Sequence, residues 1–288
     1  MDSILEPFEK IRIFSQGGLR APHKPILLLY ALARLRADGR DDLLFTDIER
    51  PVGEIIRSYA PPGSKARVQD PFRYLESDGI WQMRAADREA LLGPGNAARI
   101  SELRRQGVTG GFTAVWLQRF HDDPGLVDWA TLILLERNFP LSLHEEILDR
   151  VGLELGQPPD AGKRKHNPKF ISAVRETYFG QCAMCEFDLR FGGDPVGLEA
   201  AHIKWHAMGG PDEVHNGLAL CALHHRLFDR GAITVDHDLA IRVSTHVEGS
   251  AARNFVDRFH GRPIGLPRLE GDRPAPDMLA WHHRQVFR

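Results

Sequence analysis

The sequence predicts an α+β protein in two parts, a mainly helical amino-terminal part and a smaller metal-braced part of two strands and a helix. Three observations predict it. A nearly continuous apolar run from Pro25 to Leu35 is followed by Arg36-Ala-Asp-Gly39, which reads as a buried helix stopped at glycine. Residues 156 to 168 mix Pro, Gly and basic side chains without apolar periodicity, as a linker does. All three cysteines fall between Cys182 and Cys221, an odd number in one cluster, which favours metal ligation over a disulfide framework.

Composition limits the rest. A chain of 288 residues is long enough for two cores, and 42% hydrophobic with 26% charged residues is an ordinary globular balance. The longest apolar run is far short of the roughly 20 residues that span a bilayer. The start of the chain has no basic-then-apolar export signal, so a cytoplasmic protein without membrane contact is expected. The net charge of −2, with 37 basic against 39 acidic residues, gives no general preference for nucleic acid. Any contact with a polyanion must come from local basic patches.

In the first part, apolar and aromatic segments over Ile48–Tyr59, Phe112–Phe120 and Trp129–Leu153 are separated by Gly- and Pro-containing breaks near 61–63, 93–95 and 124–125. They read as helices with a few short strands. The expected division is 1–155, a linker over 156–169, and 170–288. The linker's Lys163, Arg164, Lys165 and Lys169 suit either phosphate tracking or plain solvation. No internal repeat or long low-complexity tract is present.

The chemistry concentrates after residue 180. Cys182-Ala-Met-Cys185 and Cys221-Ala-Leu-His224 are two pairs of the same spacing, and together they supply the four ligands of a closed tetrahedral zinc site. Between and beside them stand His202, Asn216 and His225. A hairpin with His202 on its first strand, turning through Gly209-Gly210-Pro211-Asp212, brings Asn216 back beside it; a helix starting near Asn216 then presents His225.

The ordered series Cys182, Cys185, His202, Asn216, Cys221, His224, His225 resembles the zinc-containing, McrA-like HNH nucleases, whose fold is the ββα-metal module. The resemblance implies a DNA endonuclease that hydrolyses phosphodiester bonds with structural Zn2+ and a catalytic Mg2+ or Mn2+ ion. His202 would be the general base, suited by the near-neutral pKa of imidazole. His225 would be a neutral ligand of the catalytic metal, and Asn216 would hold the hairpin. Many relatives carry an Asp or His ligand just before the general base, where this chain has Ala201. Asp229, one turn after His225 on the same helix face, is the preferred second ligand, with Glu199 and His206 as alternatives. Trp205 and His215 read as structural or substrate-flanking.

The amino-terminal string from Gly17 through Arg20, Pro22, His23, Lys24 and Pro25, with Asp70-Pro71-Phe72-Arg73-Tyr74-Leu75 and Asp78-Gly79-Ile80-Trp81, resembles the sulfur-binding domain of type IV, phosphorothioation-dependent restriction endonucleases. That domain precedes an HNH module in the family, as here. The resemblance implies double-stranded phosphorothioated DNA as the partner. Sulfur is larger and less strongly hydrated than oxygen, so an apolar pocket discriminates between them. Pro71, Phe72 and Tyr74 would line it. Arg20, His23, Lys24, Arg67 and Arg73 would neutralise phosphates, with Arg20 also able to reach a guanine edge. For Phe72, Leu75 and Trp81 a place in the core is the stronger reading.

Two other functions stay open on the residues alone: an HNH nuclease that reads a methylated or hydroxymethylated base, and a catalytically dead HNH protein that only binds DNA. Cutting both strands with one active site per chain makes a homodimer an expectation too. In the last stretch, Arg253 to Pro263 reads as a short helix and loop against the nuclease part or over its groove. Trp281, His282, His283 and Arg284 are given no catalytic role, since tandem histidines near a terminus are more often surface or DNA-edge residues.

Overall fold

The computed structural model describes residues 4–13, 15–16, 19–93, 95, 97–156 and 167–288, and for 15, 16, 19 and 20 the backbone alone. The chain separates into two compact units, Met1–Asn138 with His144–Asp160, and Phe139–Leu143 with Ala161–Arg288. Most of the expected linker, including Lys163, Arg164 and Lys165, lies outside the described residues.

The first unit is built around one helix. After α1 (Glu6–Glu9) and the short antiparallel pair β1 (Ser15–Gln16) and β2 (Leu19–Arg20), α2 runs from His23 to Asp38. Ile26, Leu27, Leu28, Leu29, Leu32 and Ala33 of α2 are fully buried, as expected of a helix apolar on nearly every side. Gly39 ends it in the left-handed conformation, with φ of 65°, and its N–H donates to the Leu35 carbonyl at 3.0 Å. Around α2 stand β3 (Leu43–Leu44), α3 (Phe45–Tyr59), α4 (Gln69–Tyr74), β4 (Trp81–Arg84), α5 (Arg88–Leu91), α6 (Ile100–Arg105), β5 (Thr109–Phe112), α7 (Ala114–Asp122), α8 (Gly125–Asn138) and α9 (His144–Val151).

The strands β3, β5 and β4 form an antiparallel sheet in that order, with Trp81 opposite Phe112. The segment read as one apolar stretch over Phe112–Phe120 is therefore the end of β5 followed by α7. Trp129–Leu153 is likewise divided, α8 stopping before Pro140, whose missing N–H and restricted preceding residue oppose helix continuation. Two aromatic clusters fill the core: Phe8, Phe112, Trp116 and Phe120, and Phe45, Phe72 and Trp81, mostly in edge-to-face contact.

Beyond Phe139–Leu143, the first helix of the second unit is α10 (Pro168–Thr177), which starts inside the expected linker. Asn167 caps it by accepting from the N–H groups of Lys169 and Phe170 at 3.1 and 3.4 Å, and Pro168 occupies the first turn, where no N–H is needed. The hairpin β6 (Arg190–Phe191) and β7 (Asp194–Pro195) leads to β8 (Leu198–His202), β9 (Gly217–Cys221) and α11 (Ala222–Asp229). The second hairpin, β10 (Ile233–Val235) with β11 (Ile241–Val243), is followed by α12 (Ala252–Phe255) and α13 (Pro276–Gln285).

β8 and β9 pair antiparallel from Leu198↔Cys221 to His202↔Gly217, and α11 follows directly. The helix expected near Asn216 starts instead at Ala222. The intervening Gly217-Leu-Ala-Leu-Cys221 is wholly buried, and pairing its backbone with β8 satisfies the polar groups that burial takes from water. No helix among the described residues is long and apolar enough to cross a membrane.

Candidate active site and metal centre

Cys182 and Cys185 lie in the turn after α10, Cys221 at the end of β9, and His224 in the first turn of α11. One ligand atom from each converges, all within 4.8 Å of one another. The Nδ1 of His224 is 3.3 Å from the Cys221 Sγ and 3.6 Å from the Cys182 Sγ, and the Cys185 and Cys221 sulfurs are 3.9 Å apart. Tetrahedral bonds of about 2.3 Å to sulfur set ligands roughly 3.8 Å apart, so this donor set fits a zinc-sized ion. The Nε2 of His224 is 2.9 Å from the Phe255 carbonyl, and Phe259 meets the ring edge-on. The stretch Arg253–Pro263 thus lies against the metal centre and fixes which ring nitrogen faces the sulfurs.

The loop joining β8 to β9 is closed by Asn216, which is fully buried. Its Oδ1 accepts from the Lys204 N–H at 2.8 Å, and its Nδ2 donates to the carbonyls of Lys204 and Pro211 at 3.1 and 2.9 Å. Gly210 is needed where the loop passes itself: a Cβ there would lie 1.8 Å from the Lys204 carbonyl oxygen.

His202 ends β8 beside this loop. Its Nε2 is 2.8 Å from Asp212 Oδ1, and the Phe170 ring stacks on it with centroids 4.2 Å apart and 18° between planes. Burial lowers the imidazole pKa below its usual 6.5, outweighing the opposite pull of Asp212, so the ring is neutral at neutral pH.

His225 stands between two carboxylates: Nδ1 is 2.7 Å from Glu199 Oε2, and Nε2 is 3.1 Å from Asp229 Oδ2. Burial opposes its charge, but Asp229 and Glu199 together raise its pKa to about 10. Two carboxylates so close favour the protonated ring, and a divalent cation bound between them would take the place of that proton. The same-face placement of Asp229 is present, yet its side chain is only 1% exposed. Its Oδ1 accepts from the Trp205 indole N–H at 3.1 Å and its Oδ2 from the Ser142 hydroxyl. Both oxygens accept bonds inside the protein, so Glu199 is the more accessible carboxylate beside His225. Glu199 is 45% exposed and is held ionised chiefly by its bond to His225. His206 is exposed and meets the His202 ring edge-on at 6.0 Å. His215 contacts Glu213 at 3.3 Å, near the surface.

His282 departs from its surface reading. It is fully buried, stacked 3.6 Å from Phe228, with Nδ1 2.8 Å from the Thr234 hydroxyl and Nε2 3.1 Å from the Phe228 carbonyl. Trp281 meets Trp205 edge-on at 5.7 Å. α13 therefore anchors the unit.

In the first unit the expected DNA-facing residues divide. Phe72 belongs to the core, fully buried between Phe45 and Trp81, because a ring of that area gains more from packing than from lining a surface pocket. Lys24 is drawn inward to Asp78, 2.5 Å away and 3% exposed, and is not a free surface cation. Arg73 is bonded to Glu76 at 2.9 Å, and Pro71 is buried. Arg67 is exposed and Tyr74 is 38% exposed. His23 Nε2 is 2.9 Å from the Lys65 carbonyl, and its Nδ1 is buried without a hydrogen-bond partner among the described residues. The Arg20 side chain lies outside what is described; its backbone is in β2.

Sequence reasoning missed Asp212, read only as a turn residue, and Phe170. The one signal for Asp212 was an acidic residue inside the loop that follows His202.

Two family models match separate stretches of the chain. Residues 182–236 match the HNH endonuclease family model. Comparison with curated proteins gives no match. Among solved structures, the sulfur-binding domain of ScoMcrA in complex with phosphorothioated DNA has 20% identity and a TM-score of 0.46 over 53% of this chain and 97% of that one. The corresponding SprMcrA domain has 20% identity and a TM-score of 0.42, over 52% and 91%. The type IV phosphorothioation-dependent restriction endonuclease ScoMcrA is matched at 19% identity with a TM-score of 0.44, over 53% of this chain but 28% of its own. The family model of the ScoMcrA-like DNA sulfur-binding domain matches residues 1–155, more than half of the sequence, and the chain belongs to that family.

Proposed function

We propose that the chain is a modification-dependent DNA endonuclease whose first unit binds phosphorothioated duplex DNA and whose second unit hydrolyses a nearby phosphodiester bond. The observation that carries this reading is that one chain joins a sulfur-binding domain to an HNH domain in which His202, Asn216 and His225 are all present.

His202 is the general base. As a water oxygen bonds to phosphorus, its proton passes to the imidazole; the bond from phosphorus to the 3′ oxygen breaks, and the electron pair leaves with that oxygen. Asn216 keeps the loop closed so that His202 holds its place. His225 with Glu199 would hold a divalent cation, since an imidazole and an ionised, half-exposed carboxylate suit Mg2+ or Mn2+. When bound, such an ion stabilises the negative charge gathered on the phosphoryl and leaving oxygens. Cys182, Cys185, Cys221 and His224 would hold structural Zn2+, which ties the turn after α10 to the start of α11.

In the first unit, Arg67 and Tyr74 are accessible, and His23 has a buried nitrogen to offer. They remain the proposed contacts to phosphate and sulfur, together with Arg20. Phe72, Lys24 and Arg73 would support this surface from behind.

The test is cleavage of matched duplexes, with and without a single stereodefined phosphorothioate, in Mg2+ or Mn2+, with His202→Ala as the control for contaminating nuclease. Selective cutting of the sulfur-bearing duplex supports both assignments. Indifferent cutting removes the sulfur reader and keeps the nuclease. Sulfur-selective binding without cleavage in either metal removes the nuclease.

A further inference from the structure

We infer that Asp212 is a positioning residue for His202, dictating which imidazole nitrogen carries the proton and which faces the reacting water. This rests on the reading of His202 as general base.

A neutral imidazole carries one N–H and one lone pair, and only the lone-pair nitrogen can take a proton. The Asp212 carboxylate, 2.8 Å from Nε2, accepts a hydrogen bond there, so the proton resides on Nε2 and the lone pair on Nδ1. Asp212 reaches this position because three restraints meet on its loop. The Asn216 amide holds the carbonyl of the preceding residue, Pro211, at 2.9 Å. Asn167, at the amino end of α10, bonds the Asp212 side chain. Phe170, one turn into α10, lies flat on the imidazole and resists rotation of the ring out of line with the carboxylate.

The base is thus gripped from two directions, by the loop through Nε2 and by α10 across its face. When Nδ1 takes a proton from water, the ring becomes an imidazolium still bonded to a carboxylate, and no group needs to move to stabilise the new charge. Replacing the carboxylate with an amide destroys this bias, because an Asn side chain can present either an acceptor or a donor to Nε2.

The experiment compares wild type, Asp212→Asn, Asp212→Glu and His202→Ala as full-length proteins. The first readout is the tautomer of His202 in protein labelled with 15N at histidine, its resonance assigned by its absence from His202→Ala. Wild type is expected as the Nε2–H form and Asp212→Asn as a mixture or the Nδ1–H form. The second readout is cleavage: kcat of Asp212→Asn is expected to fall by about 10-fold or more, within the roughly 10²- to 10⁴-fold that general-base catalysis supplies. KM and zinc content should be unchanged, and Asp212→Glu should recover part of the rate.

An Nδ1–H tautomer in wild type overturns the inference, as does an Asp212→Asn enzyme with the wild-type tautomer and wild-type kcat. A fall in kcat with equal loss of zinc, not rescued by Glu, also overturns it, because Asp212 would then act only on folding. If His202→Ala cleaves as well as wild type, the base assignment itself fails; that outcome is distinct because the tautomer is measured without turnover.

Discussion

The two units carry their candidate residues in opposite ways. In the second, residues chosen for their chemistry converge: four ligand atoms within 4.8 Å, and His225 between Glu199 and Asp229 at 2.7 and 3.1 Å. In the first, residues chosen by resemblance scatter between core, internal ion pairs and surface, as Phe72, Lys24 and Arg67 show. Coordination and proton transfer demand particular atoms at short range, so their residues are recognisable by type and spacing. A sulfur pocket demands only shape and apolar surface, which many residue types supply and which the core also requires.

The strongest way to break the comparison is through the metal centre. Cys182→Ser is expected to release the ion and unfold the second unit, since binding and folding free energy are shared in such sites. Metal analysis and thermal melting check this, and sulfur-selective DNA binding by the first unit should persist. A variant with full metal content would show that the cluster does not depend on Cys182.

His202→Ala is expected to reduce cleavage by at least about 10²-fold while DNA binding stays within a few-fold, measured by single-turnover cleavage beside a binding titration. In the first unit, Phe72→Ala should cost about 3–5 kcal/mol in urea unfolding. Arg67→Ala should leave stability within about 0.5 kcal/mol yet weaken DNA binding, more so at low salt. The reverse pattern, a stable Phe72→Ala that loses sulfur preference, would return Phe72 to the pocket.

The smallest effect is in pH. Burial depresses the pKa of His202, His206 nearby lowers it further, and Asp212 and Asp229 pull it upward. A depressed value means that the basic form persists below pH 6.5, so the acid limb of the cleavage profile should lie below that pH. Asp212→Asn removes an upward pull and should move the limb to still lower pH. A limb above 6.5, or an upward move in the variant, would contradict the assignment.

Adjacent His224 and His225 show where reading a sequence stops. Their order and types marked one for a structural ion and one for a catalytic ion, and successive helix positions point about 100° apart, so they face different partners. Their ring contacts were not legible. His224 shows Nδ1 to the sulfurs because the Phe255 carbonyl, more than thirty residues later, takes Nε2. His225 has its pKa raised because Asp229 and Glu199 reach it from its own helix and from a strand. The early start of α10 was partly legible, since Asn167-Pro168 is a helix-opening pair, but the basic run before it resembled linker.

By itself the sequence determined the paired Cys and His spacings, the order of His202, Asn216 and His225, the buried α2 with its glycine stop, and a helical part followed by a part that carries a four-ligand Cys/His cluster. These depend on local periodicity and on residue chemistry. Tertiary structure alone decided that Asp212 takes the Nε2 of His202, that Asp229 is spent on Trp205 and Ser142, that Phe72 and His282 are core, and that Lys24 turns to Asp78. Each depends on a partner brought close by packing across a loop or between elements, and a hydrogen bond or buried ring is defined by distances of a few ångströms that no spacing along the chain prescribes.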